Sequence, residues 1–405
     1  MKYIVILGDG MADLPLSELE GRTPLSVAHK PYMNLLASNG VNGRVETVPE
    51  GMVPESDTAN LSIMGYDPKI YSKGRSPLEA ASMGITMRDD DTAIRANLVT
   101  LGGSGDYESL TMIDHSSGEI STEDARILIE DVDKKFGDEA KRFYAGVSYR
   151  HCIIWNNCPE FTDFSRPHDI LGRTIGEYLP KSESSRPMLE LMRASYDFLN
   201  THPLNVEREK KGLKKANSLW LWSPGKKPSL PDFKAKTGLR GSVVCAVDLI
   251  RGIGLTAGMN VPTVAGATGT LDTDYTAKCN AAIAELESGA DLVYIHVEAP
   301  DECGHQGNIG DKIKAIENID RYILGDIYEY LKKTGEPFRI LLTPDHPTPI
   351  YLRTHARDAV PFVIFDSENL TDSGYSVYDE HSGFDSGLFV ESGEKLMNML
   401  IGKNQ

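Results

Sequence analysis

Lys2-Tyr3-Ile4-Val5-Ile6-Leu7 runs straight into Gly8-Asp9-Gly10. Five apolar residues in a row without alternation suit a strand buried on both faces, as in a parallel sheet covered by helices. The Gly-Asp-Gly step is a turn signal, so this strand ends on an acid. Two later segments repeat the pattern. A strand predicted over Asp291–Val297 runs out to Asp301, and one over Phe338–Thr343 runs out to Asp345-His346. Around them, apolar runs alternate with helical spacings: a helix over Pro31–Ser38, a strand near Gly43–Val48, helices over Gly241–Thr256, Asp272–Ser288 and Asp311–Lys333, a strand over Val360–Phe365, and a helix over Glu391–Ile401. Such alternation predicts an α/β fold with a doubly wound, mostly parallel sheet.

Between residues 88 and 182 the texture changes. Ala93–Leu101 reads as a strand, and Ser121-Thr122-Glu123-Asp124 opens an amphipathic helix to Phe136 with a capping signature. Strands near Arg142–Gly146 and Tyr149–Trp155 follow. This predicts a smaller α+β domain, residues 88–182, inserted into a main domain of residues 1–87 and 183–405. The helical spacing of Pro187–Thr201 is expected to carry the chain back, and Ser218–Trp222 to rejoin the main sheet.

The 405 residues carry 42 Lys+Arg against 59 Asp+Glu, a formal net charge of −17. A field of that sign disfavours nucleic acid and anionic membranes as partners, but one basic cleft can still take a small anion. No stretch approaches the ~20 apolar residues of a membrane span. Five scattered Cys without a CxxC pair argue against a disulfide framework or zinc finger, and a reducing cytoplasm is the expected compartment.

In open α/β sheets, ligands bind beyond the carboxyl ends of the strands. Asp9, Asp301 and Asp345 are expected there, with His305, His346 and His355 nearby. Carboxylate and imidazole donors together suit Mn²⁺ first, then Zn²⁺ or Mg²⁺. Each residue alone has a plainer reading: Asp9 as a turn residue, Asp301 and His305 as a solvated loop, His355 as a surface group. Together they supply ligands for two ions, a common device for phosphoryl displacement. Ser56, in Pro54-Glu55-Ser56-Asp57, is either an ordinary helix cap or the nucleophile such a centre would activate.

These segments, with Ser56-Asp57-Thr58-Ala59-Asn60-Leu61-Ser62, Gly65-Tyr66-Asp67-Pro68, Gly74-Arg75-Ser76-Pro77-Leu78-Glu79-Ala80, Asp301-Glu302-Cys303-Gly304-His305 and Thr343-Pro344-Asp345-His346, follow in order along nearly the whole chain. The combined pattern resembles the cofactor-independent phosphoglycerate mutases, nearest their archaeal-type branch, within the alkaline phosphatase superfamily. The resemblance implies two divalent ions, one on Asp9, Ser56, Asp345 and His346, the other on Asp301, His305 and His355. It implies that Ser56 accepts the phosphoryl group and returns it to a neighbouring hydroxyl, interconverting 3- and 2-phosphoglycerate. The inserted domain would be a lid that excludes water. Arg75, His115, Arg150, His168, Asp169 and Arg240 would contact the small anionic substrate.

Two departures leave the acceptor open. Asp114-His115-Ser116-Ser117-Gly118-Glu119 stands where the family is Arg-rich, and Trp222-Ser223-Pro224-Gly225-Lys226-Lys227 where it has Arg-Gly. Lys226 and Lys227 are the first candidates to compensate for the lost arginines. The second element resembles a subgroup proposed to be homoserine kinases, so an ATP-dependent kinase of this type is the alternative, although no Walker-type phosphate loop is present. A phosphatase, or a binding protein without catalysis, completes the set.

Overall fold

The computed structural model describes residues 1–403. It divides into two compact units, residues 1–72 with 229–405, and residues 73–228. Its strands are β1 (Lys2–Gly8), β2 (Val41–Val45), β3 (Asp91–Gly102), β4 (Thr111–Asp114), β5 (Lys141–Tyr144), β6 (Arg150–Asn156), β7 (Ser218–Lys226), β8 (Gly241–Val244), β9 (Leu292–Val297), β10 (Phe338–Pro344), β11 (Val360–Asp366) and β12 (Phe389–Val390).

In the first unit, β1 lies between β9 and β10 and is parallel to both, in the sheet order β12-β2-β11-β10-β1-β9-β8. Every residue of β9 is buried, as an uninterrupted Leu-Val-Tyr-Ile-His-Val run requires. The sheet is mostly parallel, as expected, but β11 runs antiparallel to both β10 and β2. The register sets Gly8 beside both Pro344 and Val297, so the loops that follow all three strands leave the sheet at one level. Ile4, Ile6, Val293, Ile295, Ile340 and Leu342 form the centre of the core, with helices packed over them.

The second unit is built on the twelve-residue β3, which pairs antiparallel with β4, β6 and β7. Its boundaries are wider than the expected 88–182. Strand β7 hydrogen-bonds along β3 instead of joining the main sheet. The helix Arg186–Leu199 buries Met188, Leu191, Met192 and Leu199 in that same core instead of returning the chain. The predicted helix Gly241–Thr256 is also two elements, β8 and the helix Asp248–Thr256. Ser242, Val243 and Val244 are buried, two of them β-branched, and pairing with β9 decides their state.

Candidate functional site

Seven of the predicted residues meet at the carboxyl ends of β1, β9 and β10. Asp9 follows β1, and its backbone N–H donates to Val297 O at 2.9 Å. Asp301 and His305 lie on the helix Ala299–Gln306 after β9. Asp345 and His346 follow β10, and His355 lies in the loop before β11. Ser56 is the first residue of the helix Ser56–Ile63; its side chain does not cap that helix, and its Oγ lies 3.3 Å from His346 Nε2.

The donor atoms form two groups that share His346: Asp9, Asp345 and His346, and Asp301, His346 and His355. His346 Nε2 is 3.5 Å from Asp9 Oδ1 and 3.5 Å from Asp345 Oδ2. His305 Nε2 is 3.2 Å from Asp301 Oδ2 and 3.0 Å from His355 Nε2. Backbone carbonyls orient two of the imidazoles. Pro54 O accepts from His355 Nδ1 at 2.7 Å, and Arg353 O from His305 Nδ1 at 3.0 Å. A carbonyl only accepts, so both Nδ1 atoms carry the proton and both Nε2 atoms face inward as donors to a cation.

The electrostatics ask for positive charge. Burial, with the Asp345 and Asp301 carboxylates alongside, pushes Asp9 well above the usual carboxylate range. Asp301 is held low: burial opposes ionisation, but the His305 hydrogen bond and the His346 and His355 rings outweigh it. The hydrogen bond to Asp301 raises His305 to about 9, while burial and His346 lower His355.

These residues fit a divalent metal centre. Asp9 Oδ1 is buried with no hydrogen-bond partner among the described residues. Two imidazole nitrogens 3.0 Å apart need a shared cation or proton. Ligands in a tetrahedral site with ~2.1 Å bonds stand about 3.4 Å apart, close to the spacings seen here.

Asn60, Tyr294 and His296 support the cluster. Asn60 Nδ2 donates to Asp345 Oδ2 at 3.0 Å and to Ser56 O at 2.8 Å. Tyr294 donates its hydroxyl to Asn60 Oδ1 at 2.6 Å. His296, buried within β9, sets Nε2 3.1 Å from Asp9 Oδ2. Asn60 had one signal in the sequence: it stands one helical turn after Ser56, on the same face.

The predicted substrate contacts divide. Arg75, His115 and His168 line a cavity of about 330 Å³ within the second unit, together with Arg95, Arg166, Asn97, Tyr149 and Trp222. Arg95 stacks its guanidinium 4.6 Å from the Trp222 ring and lies 3.3 Å from Glu79, while its Nε is buried without an acceptor among the described residues. Arg150 is exposed on β6, beside the Tyr149 ring, and Asp169 pairs with His168 at the surface. Arg240 does not reach the metal centre. It precedes β8, and its N–H donates to Asp291 Oδ2 at 2.8 Å, at the amino ends of the strands.

Lys226 and Lys227 do not replace the missing arginines either. Lys227 pairs with Asp89, and Lys226 reaches Asp90 O at 3.5 Å. Two cationic residues that do not stand out in the sequence, Arg95 on β3 and Arg166, line the cavity with Arg75. Asp114 pairs with Lys214 and accepts from Ser116 N at 2.7 Å.

A helix-borne serine on a cluster of carboxylates and imidazoles at the strand ends of an α/β sheet defines a metal-dependent phosphoryl-transfer class of enzyme. The comparisons narrow it. A family described as 2,3-bisphosphoglycerate-independent phosphoglycerate mutase matches residues 37–205. A probable mutase of that description from Geobacter sulfurreducens is 49% identical over 403 residues, covering 100% of each chain. The corresponding mutase from Methanosarcina barkeri is 45% identical and covers 99% of each. Among solved structures, a Pyrococcus horikoshii protein matches with a TM-score of 0.80 at 29% identity, over 100% of this chain and 98% of that one. The cofactor-independent phosphoglycerate mutase of Thermoplasma acidophilum matches with a TM-score of 0.65 at 27% identity, over 99% of each. The chain belongs to the family of 2,3-bisphosphoglycerate-independent phosphoglycerate mutases, and nothing in these comparisons favours the kinase alternative.

Proposed function

We propose that the protein interconverts 3-phosphoglycerate and 2-phosphoglycerate through a phosphoserine at Ser56, with Mn²⁺ as the preferred ion. The observation that carries this reading is the position of Ser56 Oγ, 3.3 Å from His346 Nε2 at the edge of the ligand cluster. Asp9, Asp345 and His346 would hold one ion, and Asp301, His305 and His355 the other. Divalent ions there supply charge neutralisation and a lowered hydroxyl pKa.

The chain's own residues account for the rest. Ser56 Oγ forms the new P–O bond as the bond from phosphorus to the substrate's 3-oxygen breaks. The serine proton balances the alkoxide that leaves. Reversal onto the 2-oxygen of the glycerate completes the isomerisation with no net loss of phosphate. The site starts a helix, where backbone N–H groups favour a phosphate. Arg75, Arg95 and Arg166 in the inserted unit suit the substrate's anionic groups through charge-assisted hydrogen bonds. We further propose that this unit acts as the lid, since a water-exposed phosphoserine would hydrolyse.

The test is an Mn²⁺-supplemented assay of wild type and Ser56→Ala, offering 3-phosphoglycerate alone and, separately, homoserine with ATP. Wild type is expected to form 2-phosphoglycerate. Ser56→Ala is expected to keep its fold and lose roughly 10⁴-fold or more of kcat, as removal of a covalent nucleophile does. Near-wild-type turnover by Ser56→Ala would refute the phosphoserine. Homoserine phosphorylation without mutase activity would replace this reading with the kinase.

A further inference from the structure

Thr348 lies fully buried two residues beyond His346. Its hydroxyl touches two of the ligands: it donates to Asp301 Oδ1 in a short hydrogen bond and stands 3.3 Å from His346 Nδ1. We infer that Thr348 is a positioning residue of the metal centre, fixing the tautomer of His346 so that the bare Nε2 faces the ion. The inference rests on the metal-centre reading of the cluster and is independent of which substrate is turned over.

A hydroxyl has one hydrogen to donate, and an ionised carboxylate can only accept. With the Thr348 hydrogen committed to Asp301, its lone pair must accept from His346 Nδ1–H. A neutral imidazole carries one proton, so Nε2 is then bare. That nitrogen is the atom 3.5 Å from both Asp9 and Asp345 and 3.3 Å from Ser56 Oγ. The other tautomer would put a proton where a metal must bind. His355 and His305 achieve the same outcome through backbone carbonyls. His346 has Thr348 in that role.

The hydroxyl is held in place. Thr348 O accepts from Lys312 Nζ at 2.8 Å, and Thr348 N donates to Ala12 O at 3.2 Å. Lys312 is fully buried, and also donates to Asp13 Oδ2 at 2.7 Å and Ala12 O at 3.2 Å. Two ligand-bearing segments, the loop after β1 and the loop after β10, are thereby tied to one ammonium group, carried on the helix Ile309–Ile319 that follows the one bearing Asp301. Two glycines make room. A Cβ on Gly10 would stand 2.5 Å from Thr348 Oγ1, and one on Gly304 2.6 Å from Thr348 O.

The test compares wild type, Thr348→Val and Thr348→Ser. The readouts are long-range ¹H–¹⁵N spectra of the histidine rings in metal-free protein and Mn²⁺ titration by calorimetry. Wild type and Thr348→Ser are expected to show His346 protonated at Nδ1. Thr348→Val is expected to shift that ring toward Nε2–H and bind Mn²⁺ about 10–100-fold more weakly, as loss of a group orienting a ligand does. Thr348→Ser should restore affinity. Unchanged tautomer and affinity in Thr348→Val would overturn the inference. So would a wild-type His346 protonated at Nε2, whether or not the valine variant folds. A wild type that takes up no Mn²⁺ would instead defeat the metal-centre reading itself.

Discussion

Asn60 uses every polar group it has: two N–H bonds to Ser56 O and Asp345 Oδ2, and one carbonyl accepting from Tyr294. All three partners are buried or at the site, so a lost contact cannot be made up by water. Tyr294→Phe strands the amide oxygen, and Asn60→Ala strands the tyrosine hydroxyl. Each is expected to cost about 1–3 kcal/mol of stability. Because both variants break the same bond, the double variant should cost less than the sum, by about 0.5–3 kcal/mol. Denaturant midpoints of the four proteins measure this directly, and additive costs would show that the bond carries no weight. At this scale the sequence reveals acids at strand ends, because a buried apolar run followed by Asp is a local pattern. Thr348, Arg95 and Arg166 leave no such mark. Their roles come from what lies across the fold, and Thr or Arg at those positions is unremarkable in sequence.

Elements show the same division. The helix Pro31–Asn39 is legible from its spacing, but its start lacks a local side-chain cap at Lys30. The acceptor comes from far along the chain: Asp320 receives Met33 N at 2.7 Å and Tyr32 N at 3.4 Å. Burial pushes Asp320 up from 3.8 to about 6, against the downward pull of those two amides. Between those values the folded chain holds a proton that the unfolded chain has lost. Stability from this group is therefore fully present below 3.8 and lost as pH rises through about 6. Asp320→Asn keeps an acceptor and removes the buried charge. It should stabilise the protein by about 1–3 kcal/mol at pH 7.5, with the gain shrinking toward pH 4. Denaturant midpoints across that range check it, and a pH-independent difference would refute the assignment. The states of Gly241–Val244 and Ser218–Lys226 are likewise set by partners far along the chain. A short apolar run fits helix or strand until a partner strand pairs with it, and a strand carries no label for which of two sheets it joins.

On the scale of the whole molecule, residues 73–228 are one uninterrupted stretch with its own sheet and its own core. The ends of that stretch meet: a Cβ on Gly74 would lie 3.2 Å from Pro224 O, and Lys226 pairs with Thr92. Its length is that of an ordinary independent domain. The seven predicted metal ligands, by contrast, all lie in residues 1–72 and 229–405. There, Tyr66 donates its hydroxyl to Pro231 O at 2.9 Å, close to both junctions. Two pieces should therefore be separable. Residues 73–228 produced alone are expected to melt in one cooperative transition, with near-UV circular dichroism from the buried Trp220 and Trp222. The remainder, closed across 72 and 229 by a short Gly/Ser linker, is expected to fold and bind Mn²⁺ but to lose isomerisation, since Arg75, Arg95 and Arg166 leave with the insert. A broad, dye-binding transition for the isolated piece would show that its core needs the rest of the chain. Retained isomerisation by the closed remainder would show that the arginine cavity takes no part in turnover.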